Sequence, residues 1–203
     1  MNETELKKIA EMMRQLDMTA GEAMKNGNLP DAILAYERMM DAEESFGLSK
    51  NAGRTRINLA NLYLQMDRKE KALEHAQKAA EELAGAGALQ DAINARLTQA
   101  RCLCELDRAA EGVKEAEKAF RDCKTDAGRA EACLVLAECR RMAGDKWKAR
   151  DAVDRAVRWF ESCRDDVGLT RALSERIFLL EQSGQAAAAV ADRSRLAIMH
   201  SDL

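Results

Sequence analysis

The sequence repeats itself with a period of about 40 residues. A short polar turn is followed by a small residue at five places, and these residues are Ala32, Ala72, Gly112, Ala149 and Ala189. The successive spacings are 40, 40, 37 and 40 residues. Such periods are typical of solenoids, in which each unit buries its apolar face only on its neighbours. The repeat therefore predicts a single array over residues 1–203.

Each unit carries small residues at two further places. Twelve residues before the first small residue stand Ala20, Ala60, Ala100, Ala137 and, as the exception, Ile177. Seven residues after it stand Met39, Ala79, Ala119, Ala156 and Leu196. Small residues at fixed places on consecutive helices let those helices approach closely. Because glycine costs about 1 kcal/mol relative to alanine in a helix, we expect Gly112→Ala to stabilise the protein.

The composition favours helices along the whole chain. There is one proline in 203 residues and aromatic residues make up 4%, so strands have little to be built from. The first helix of each unit, helix A, is predicted over 3–25, 49–65, 89–105, 127–142 and 167–182. The second, helix B, is predicted over 29–45, 68–84, 108–122, 146–162 and 186–200. The five units thus lie near 3–45, 49–84, 89–122, 127–162 and 167–200.

Two turns carry helix-start signals. Asp67, with Glu70 three residues later, fits a capping box that opens the second helix of its unit. Pro30 is predicted in a first helical turn, where its missing N–H costs nothing.

These positions resemble the tetratricopeptide repeat (TPR). The best copy is the run 58–63, Asn-Leu-Ala-Asn-Leu-Tyr, followed by Ala72 and Ala79, and Tyr36 and Trp147 stand where the family places aromatics. The usual period is 34, and the extra residues are expected in the links between repeats, such as 126–130 and 166–172, which each begin with D-x-G and end in alanine. Such links resemble those of the longer, 40-residue repeats found in kinesin light chains, spindle-orienting adaptors and many bacterial regulators. The resemblance implies an all-α, right-handed superhelical solenoid of about five helical hairpins.

The resemblance also implies a ligand surface, because in this family a stripe of helix A faces the concave groove and holds extended peptides. The matching positions are Arg54, Asn58, Asn61, Gln65, Asn94, Arg101, Glu138, Arg141, Arg171 and Glu175, with Glu105 and Glu131 on the same stripe. Carboxamides can both donate to and accept from a peptide main chain, and arginine pairs with carboxylates. We expect a protein-interaction module that binds a peptide segment of a partner. The alternatives are a peptide-sensing regulatory domain of a larger signalling protein and a structural homo-oligomer.

Charge and hydropathy argue against other partners. The formal net charge is −3, with 32 basic and 35 acidic residues mixed along the chain, so we expect no nucleic-acid partner. No apolar run approaches the roughly 18 residues that would span a bilayer, so we expect no membrane partner. The polar N-terminal residues show no signal-peptide pattern, which predicts a cytoplasmic protein.

Little in the sequence suggests catalysis. The two histidines, His75 and His200, are expected at the surface, and no phosphate-binding loop or metal signature is present, so we expect no enzyme activity, cofactor or metal. The six cysteines are expected to be reduced and to act as small apolar residues. As an alternative, Cys102 and Cys139, which share one repeat position, could with Cys133 bind a soft metal or sense oxidation.

The last helix suggests an uncovered edge. Val190, Leu196 and Ala197 can cover the preceding helix, which leaves Ile198 and Met199 near an exposed side. Because each repeat buries its apolar side on a neighbour, this pattern predicts a homodimer through the C-terminal edge or a longer native chain.

Overall fold

The structure is a computed structural model that describes residues 3–201, and these residues form ten α-helices without a strand. The helices are α1 Glu3–Lys25, α2 Leu29–Ser45, α3 Ser49–Gln65, α4 Lys69–Gly85, α5 Leu89–Glu105, α6 Ala109–Asp122, α7 Asp126–Met142, α8 Lys146–Cys163, α9 Asp166–Gln182 and α10 Ala186–Ser201. The all-α prediction is confirmed, and each predicted helix boundary agrees with the structure to within one residue.

The chain forms two compact units, Met1–Thr98 and Gln99–Leu203, whose boundary falls inside α5. In the first unit, α1 to α4 contact one another in chain order, and residues on α4 and the first half of α5 share an apolar cluster. In the second unit, α6 to α10 contact one another in chain order, and α7 also touches α9 directly. Each unit is therefore a stack of helical hairpins, while the single array over 1–203 stays a prediction.

Helix length accounts for the period of the sequence. Two helices of 17 residues and two connections of three residues make up a period of 40, as α3 and α4 with their connections illustrate. The shorter interval of 37 arises because α6 has only 14 residues. The extra residues therefore lengthen helices and do not form the predicted long links. The segments 126–130 and 166–172, which each begin with D-x-G and end in alanine, lie at the start of α7 and α9. There Thr125 and Asp165 accept hydrogen bonds from the N–H groups of Gly128 and Gly168.

Most connections contain one residue in the left-handed conformation. Glycine usually takes this position, with φ between 69° and 80°, but Asp67 and Asp107 take it with φ of 57° and 59°. The backbone N–H of Asp67 donates to the carbonyl oxygen of Leu64, and that of Arg68 donates to the carbonyl oxygen of Tyr63. These bonds cap the C-terminal end of α3, so Asp67 belongs to that cap and not to the start of α4. The predicted capping box is wrong, because the N-cap residue of α4 is Arg68 and its side chain makes no capping bond. Pro30 lies in the first turn of α2, as predicted.

The small residues of the repeat lie inside the units. The helix A alanines at 20, 60, 100 and 137 and the helix B alanines at 32, 72, 149 and 189 have no exposed surface. The fifth repeat departs from the pattern in structure as it does in sequence, because Ile177 and Leu196 are only partly buried. The small residues are therefore buried as predicted in the first four of the five sequence repeats.

One aromatic residue does not pack as the repeat alignment predicts. Tyr36 is buried, but Trp147 is 88% exposed in the first turn of α8. Counted from the small residue of each unit, Trp147 matches Pro30, and the buried Val153 matches Tyr36. The placement of Trp147 at a family aromatic position is therefore wrong.

Buried charges are paired and connect helix A to the flanking B helices. The Arg56 side chain, of which 9% is exposed, bonds to Glu82 at 3.0 Å and also to Glu44. In the second unit, Arg176 donates to Asp192 at 2.7 Å and to Asp154 at 3.3 Å. Charges taken out of water need such partners, so these arginines fix neighbouring helices relative to one another within each unit.

Gly112 occupies a tighter site than its alanine counterparts. A Cβ atom added to Gly112 would lie 2.7 Å from the carbonyl oxygen of Ala100, 2.8 Å from Cys104 Sγ and 3.3 Å from Cys139 Sγ. The nearest of these atoms belongs to the backbone of α5 and cannot turn aside. The expectation that Gly112→Ala would stabilise the protein is therefore wrong, since overpacking outweighs helix propensity here.

We expect Gly112→Ala to lower the free energy of unfolding by about 1–3 kcal/mol. Gly21→Ala is the matched control, because Gly21 lies inside α1 with nothing within 4 Å of its added Cβ. That change should raise the free energy of unfolding by about 0.5–1 kcal/mol through propensity alone. Urea unfolding of both variants measures the difference, and an equal gain in stability for both would contradict the close approach at Gly112.

Candidate functional site

A concave pocket of about 480 Å³ in the first unit brings together three of the predicted site residues. Asn58, Asn61 and Gln65 lie on α3 at a spacing of three and four residues, which places them on one face of the helix. The remaining lining residues are Met24, Tyr36, Leu62 and Leu64. The pocket therefore combines a carboxamide stripe with an apolar wall.

The three carboxamides are available to a ligand. Each side chain is exposed, and none makes a hydrogen bond to another residue in the described part of the chain. Each carboxamide carries two N–H donors and one carbonyl acceptor, which match the C=O and N–H groups of an extended main chain. The stripe can thus bind peptide backbone without first breaking a contact within the protein.

The two other predicted residues of the first unit do not line this pocket. Arg54 donates from Nε to Asp91 at 2.8 Å, which connects α3 to α5. Asn94 accepts a bond of 3.4 Å from Gln90 and lies on α5. Arg54 and Asn94 therefore lie outside the carboxamide pocket, and Arg54 already has a carboxylate partner.

A second pocket, of about 430 Å³, lies in the second unit and brings together four predicted residues. Glu138 and Arg141 reach it from α7, and Arg171 and Glu175 reach it from α9. Thr170, Ser174 and Phe178 of α9 complete the lining. Its chemistry differs from that of the first pocket, because charged groups replace the carboxamides.

Arginine and glutamate side chains pair around this pocket. Arg101 donates to Glu138 at 3.0 Å and to Glu131 at 2.8 Å. Arg171 makes two parallel bonds of 3.0 Å to the same Glu131. Glu131 therefore joins α5, α7 and α9, and replacement of Arg101 would leave two carboxylates without this partner. Arg101 is only 28% exposed, so we expect Arg101→Ala to destabilise the protein.

A second ion pair, between Arg141 and Glu175, connects α7 and α9 further along these two helices. Arg141 donates to Glu175 at 2.7 Å, and its guanidinium carbon lies 5.1 Å from the ring centre of Phe178. A cation over an aromatic face is attracted to the ring. Because these arginines are matched by carboxylates, the pocket offers hydrogen-bonding edges and an aromatic face to a ligand in place of a strong net charge.

The polar stripe alone did not reveal the apolar half of either pocket. Met24, Tyr36 and Phe178 contribute surfaces that come from other helices or from a neighbouring row of the same helix. In α9 the spacing of four residues between Ser174 and Phe178 was a usable signal, since it places both on one face. The position of Met24 depends on how α1 packs, which the sequence pattern does not specify. Glu105, also on the predicted stripe, is exposed but lies in neither pocket.

His75 is not the surface histidine that the sequence predicted. It is half-buried, its ring stacks on Tyr63 with 5.4 Å between centroids, and its Nδ1 is buried without a hydrogen-bond partner. Burial and the nearby charge of Arg56 lower the pKa of His75. Burial and the hydrogen bond to Glu37 raise the pKa of Tyr63 to about 12. The side chain of His200 lies outside the described residues.

Two other kinds of site are absent from the part of the chain that the structure describes. No group of three or more histidine, cysteine, aspartate or glutamate side chains there could hold a metal ion. Within residues 3–201, no helix combines the length and the apolar character that crossing a bilayer requires.

Comparison with known proteins identifies the fold. No protein-family model and no curated protein matches the sequence. A Rap protein complexed with Competence and Sporulation Factor superposes with a TM-score of 0.79 and 14% identity, over 90% of this chain and 52% of the Rap chain. The TPR-like repeats of a putative kinesin light chain from Podosopora anserina superpose with a TM-score of 0.72 and 14% identity, over 94% and 95% of the two chains.

A third similar structure is BtubC from P. vanneervenii, with a TM-score of 0.62 and 15% identity over 96% of this chain and 91% of that one. The chain thus has the fold of TPR-like helical repeats, as the sequence resemblance implied. It spans about half the length of the Rap protein that it matches.

The Glu131 cluster generates a prediction about acid stability. Burial raises the pKa of Glu131, but the bonds and charges of Arg171 and Arg101 outweigh burial and lower it overall. A carboxyl group whose pKa is lowered in the folded state stabilises the protein above its unfolded pKa of about 4.3. This contribution is lost as the pH falls through the lower, folded-state pKa.

We expect Glu131→Gln to lower the free energy of unfolding at pH 7 by about 1–2 kcal/mol, because the arginines are partly exposed. The difference from the unmodified protein should shrink below pH 4, where Glu131 itself becomes protonated. Glu111→Gln is the control, because Glu111 is an exposed carboxylate that bonds only to Arg108 and should have a much smaller effect. Urea unfolding between pH 3 and pH 7 decides the matter, and a difference that does not vary with pH would contradict the account.

Proposed function

We propose that this chain binds a peptide segment of a partner protein on the helix A surfaces that carry the two pockets. The observation that carries the proposal is the set of unpaired carboxamides at Asn58, Asn61 and Gln65, which lie beside an apolar wall. Exposed polar side chains on a helix are usually only solvated and bind nothing. These three differ because they line a concave pocket, which is where ligands usually bind.

In the proposed complex the stripe on α3 bonds to the peptide main chain, and the wall accepts an apolar side chain. Met24 is a flexible side chain that adapts to different shapes, while Tyr36 is mostly buried and rigid. Helices hold the carboxamides in place before binding, so the peptide bears most of the ordering entropy. The proposed mechanism is preorganisation of a polar surface, without a chemical step.

The charged pocket of the second unit is proposed to bind side chains of the same class of ligand. The exposed face of Phe178 suits an apolar group, and the hydroxyl groups of Thr170 and Ser174 lie at the same pocket. A carboxylate ligand would have to compete with Glu131 and Glu175 for the arginines. We therefore expect neutral segments to bind there in preference to acidic ones.

A peptide-sensing regulatory domain is the second candidate. The Rap protein that this chain resembles was solved in complex with Competence and Sporulation Factor, and the chain covers about half of it. This likeness supports a sensing role within a larger signalling protein, in which the same pockets would bind the signal. A native reading frame that continues into an effector domain would favour this candidate over a free-standing module.

Self-association through the C-terminal edge remains a prediction. Val190 and Ile198 of α10 are 55% and 62% exposed, whereas Met199 is partly buried. The exposed pair supports an apolar surface on this helix, although Val190 was expected to cover α9. A structural homo-oligomer is therefore kept as the third candidate.

We expect the double change Asn58→Ala and Asn61→Ala to weaken peptide binding by at least about 5-fold, because two main-chain hydrogen bonds are lost. Stability should change by less than about 0.5 kcal/mol, since both side chains are exposed and unpaired. The probe is a peptide enriched from a displayed random library on the unmodified protein. Titration calorimetry measures its affinity for each variant.

Gln77→Ala is the matched control, because Gln77 is an exposed carboxamide on α4 outside both pockets. It should bind the enriched peptide with unchanged affinity. Two results would count against the proposal: failure to enrich any peptide, or an enriched peptide that binds the double variant as tightly as the unmodified protein.

A further inference from the structure

Gly112 and two cysteines meet at one point in the second compact unit. Glycine replaces the alanine found at this place in the other four units, and it does so only at Gly112. The space of the missing side chain is taken by the sulfur atoms of Cys104 on α5 and Cys139 on α7. The position of Cys139 holds a leucine in the second and fifth repeats, Leu62 and Leu179, and a cysteine, Cys102, in the third.

The two sulfur atoms lie on the same side of α6, beside Gly112. Both lie within 3.3 Å of the point where a Cβ of Gly112 would stand, and their thiols interact with each other. The sequence pattern suggests Cys102 and Cys139 as the related pair, because they share one repeat position. The structure brings Cys104, and not Cys102, to Cys139.

We propose that Cys104 and Cys139 form a dithiol site that a hydroperoxide oxidises to a disulfide connecting α5 to α7. The proposal does not depend on the peptide-binding function. Both cysteines are free in the structure, so the site is described in its reduced form. Their shared position beside Gly112 matters, because a disulfide needs two sulfur atoms that can approach to about 2.05 Å.

The oxidation balances with a hydroperoxide as the only co-reactant. One of the two sulfur atoms, as thiolate, attacks one peroxide oxygen, the O–O bond breaks and a sulfenic acid forms. The other peroxide oxygen leaves as hydroxide or alkoxide and takes up the proton that the first thiol released. The second sulfur then attacks the sulfenic sulfur, the S–O bond breaks and the S–S bond forms. The sulfenic oxygen leaves as water with the proton of the second thiol. For hydrogen peroxide, two thiols lose two electrons and the peroxide becomes two molecules of water.

The contact between the two thiols favours ionisation of one of them. The hydrogen bond from Cys139, which outweighs burial, lowers the pKa of Cys104, while that contact and burial raise the pKa of Cys139. Burial raises the pKa of Cys102 to about 12 and that of Cys133 to about 11. Because the thiolate is the reacting form, and the contact between these two thiols favours a thiolate on one of them, this pair should react more readily than Cys102 or Cys133.

Burial controls the rate of this reaction. Cys104 is 2% exposed and Cys139 has no exposed surface, so a peroxide reaches them only when the helices open locally. Cys163 is partly exposed and should react earlier. Cys163 therefore reports whether the oxidant dose was sufficient.

The bridge would form beside the charged pocket. Cys104 follows Arg101 by three residues on α5, and Cys139 is adjacent to Glu138 on α7. These two neighbours already bond to each other at 3.0 Å. A disulfide would thus hold together the same two helices that this ion pair connects.

The experiment treats the folded full chain with hydrogen peroxide and maps the product by tryptic digestion and mass spectrometry. Tryptic peptides 102–108 and 130–140 each contain two cysteines, so the chain carries Cys102→Ala and Cys133→Ala to leave one thiol in each. Circular dichroism confirms that this variant is folded. The expected product is the linked pair of these peptides, which dithiothreitol separates.

Two controls make the outcome decisive. Adding Cys104→Ser must abolish the linked pair, and the same oxidation in urea should give much less of it, because only the folded chain holds the sulfur atoms together. Absence of the linked pair after Cys163 is fully oxidised would overturn the proposal. Equal yields from folded and urea-unfolded chains would overturn it as well, since the link would then owe nothing to the structure.

Discussion

The contact between consecutive helices at alanine positions is the one on which the rest of each unit depends. Ala60 on α3 and Ala72 on α4 have no exposed surface, and α3 packs against α4. Larger side chains would separate the helices and uncover the apolar residues around them. Where the approach is closest, at Gly112, even a methyl group is too large.

This packing also orients the candidate site. With Leu59 and Ala60 facing inward on α3, the residues on either side, Asn58 and Asn61, must face outward. The fixed length of the helices repeats that arrangement from unit to unit, but the side chains it presents change. Carboxamides stand free in the first unit, whereas arginines and glutamates pair with one another in the second. The same scaffold thus presents two chemically different surfaces.

The sequence predicted the helices well because their signals are local and repeated: alanine spacing marked the buried side, and turns with Gly27 or Gly144 marked the ends. It also predicted most pocket-lining polar residues, since these follow from the same spacing. It missed properties that depend on neighbouring elements. The crowding at Gly112, the contribution of Phe178 and the partners of Arg101 all involve side chains far apart in sequence.

We propose that the carboxamide stripe of α3 contacts a bound peptide. The side-chain amide resonances of the stripe, followed in an NMR titration, test this contact directly. With a peptide enriched on the unmodified protein, the NH₂ signals of Asn58, Asn61 and Gln65 should shift as the site fills, because their hydrogen-bond partners change from water to peptide. The NH₂ signal of Gln77 on α4 should stay in place. Saturation of binding with no change at the three stripe amides, or with the largest change at Gln77, would contradict the account.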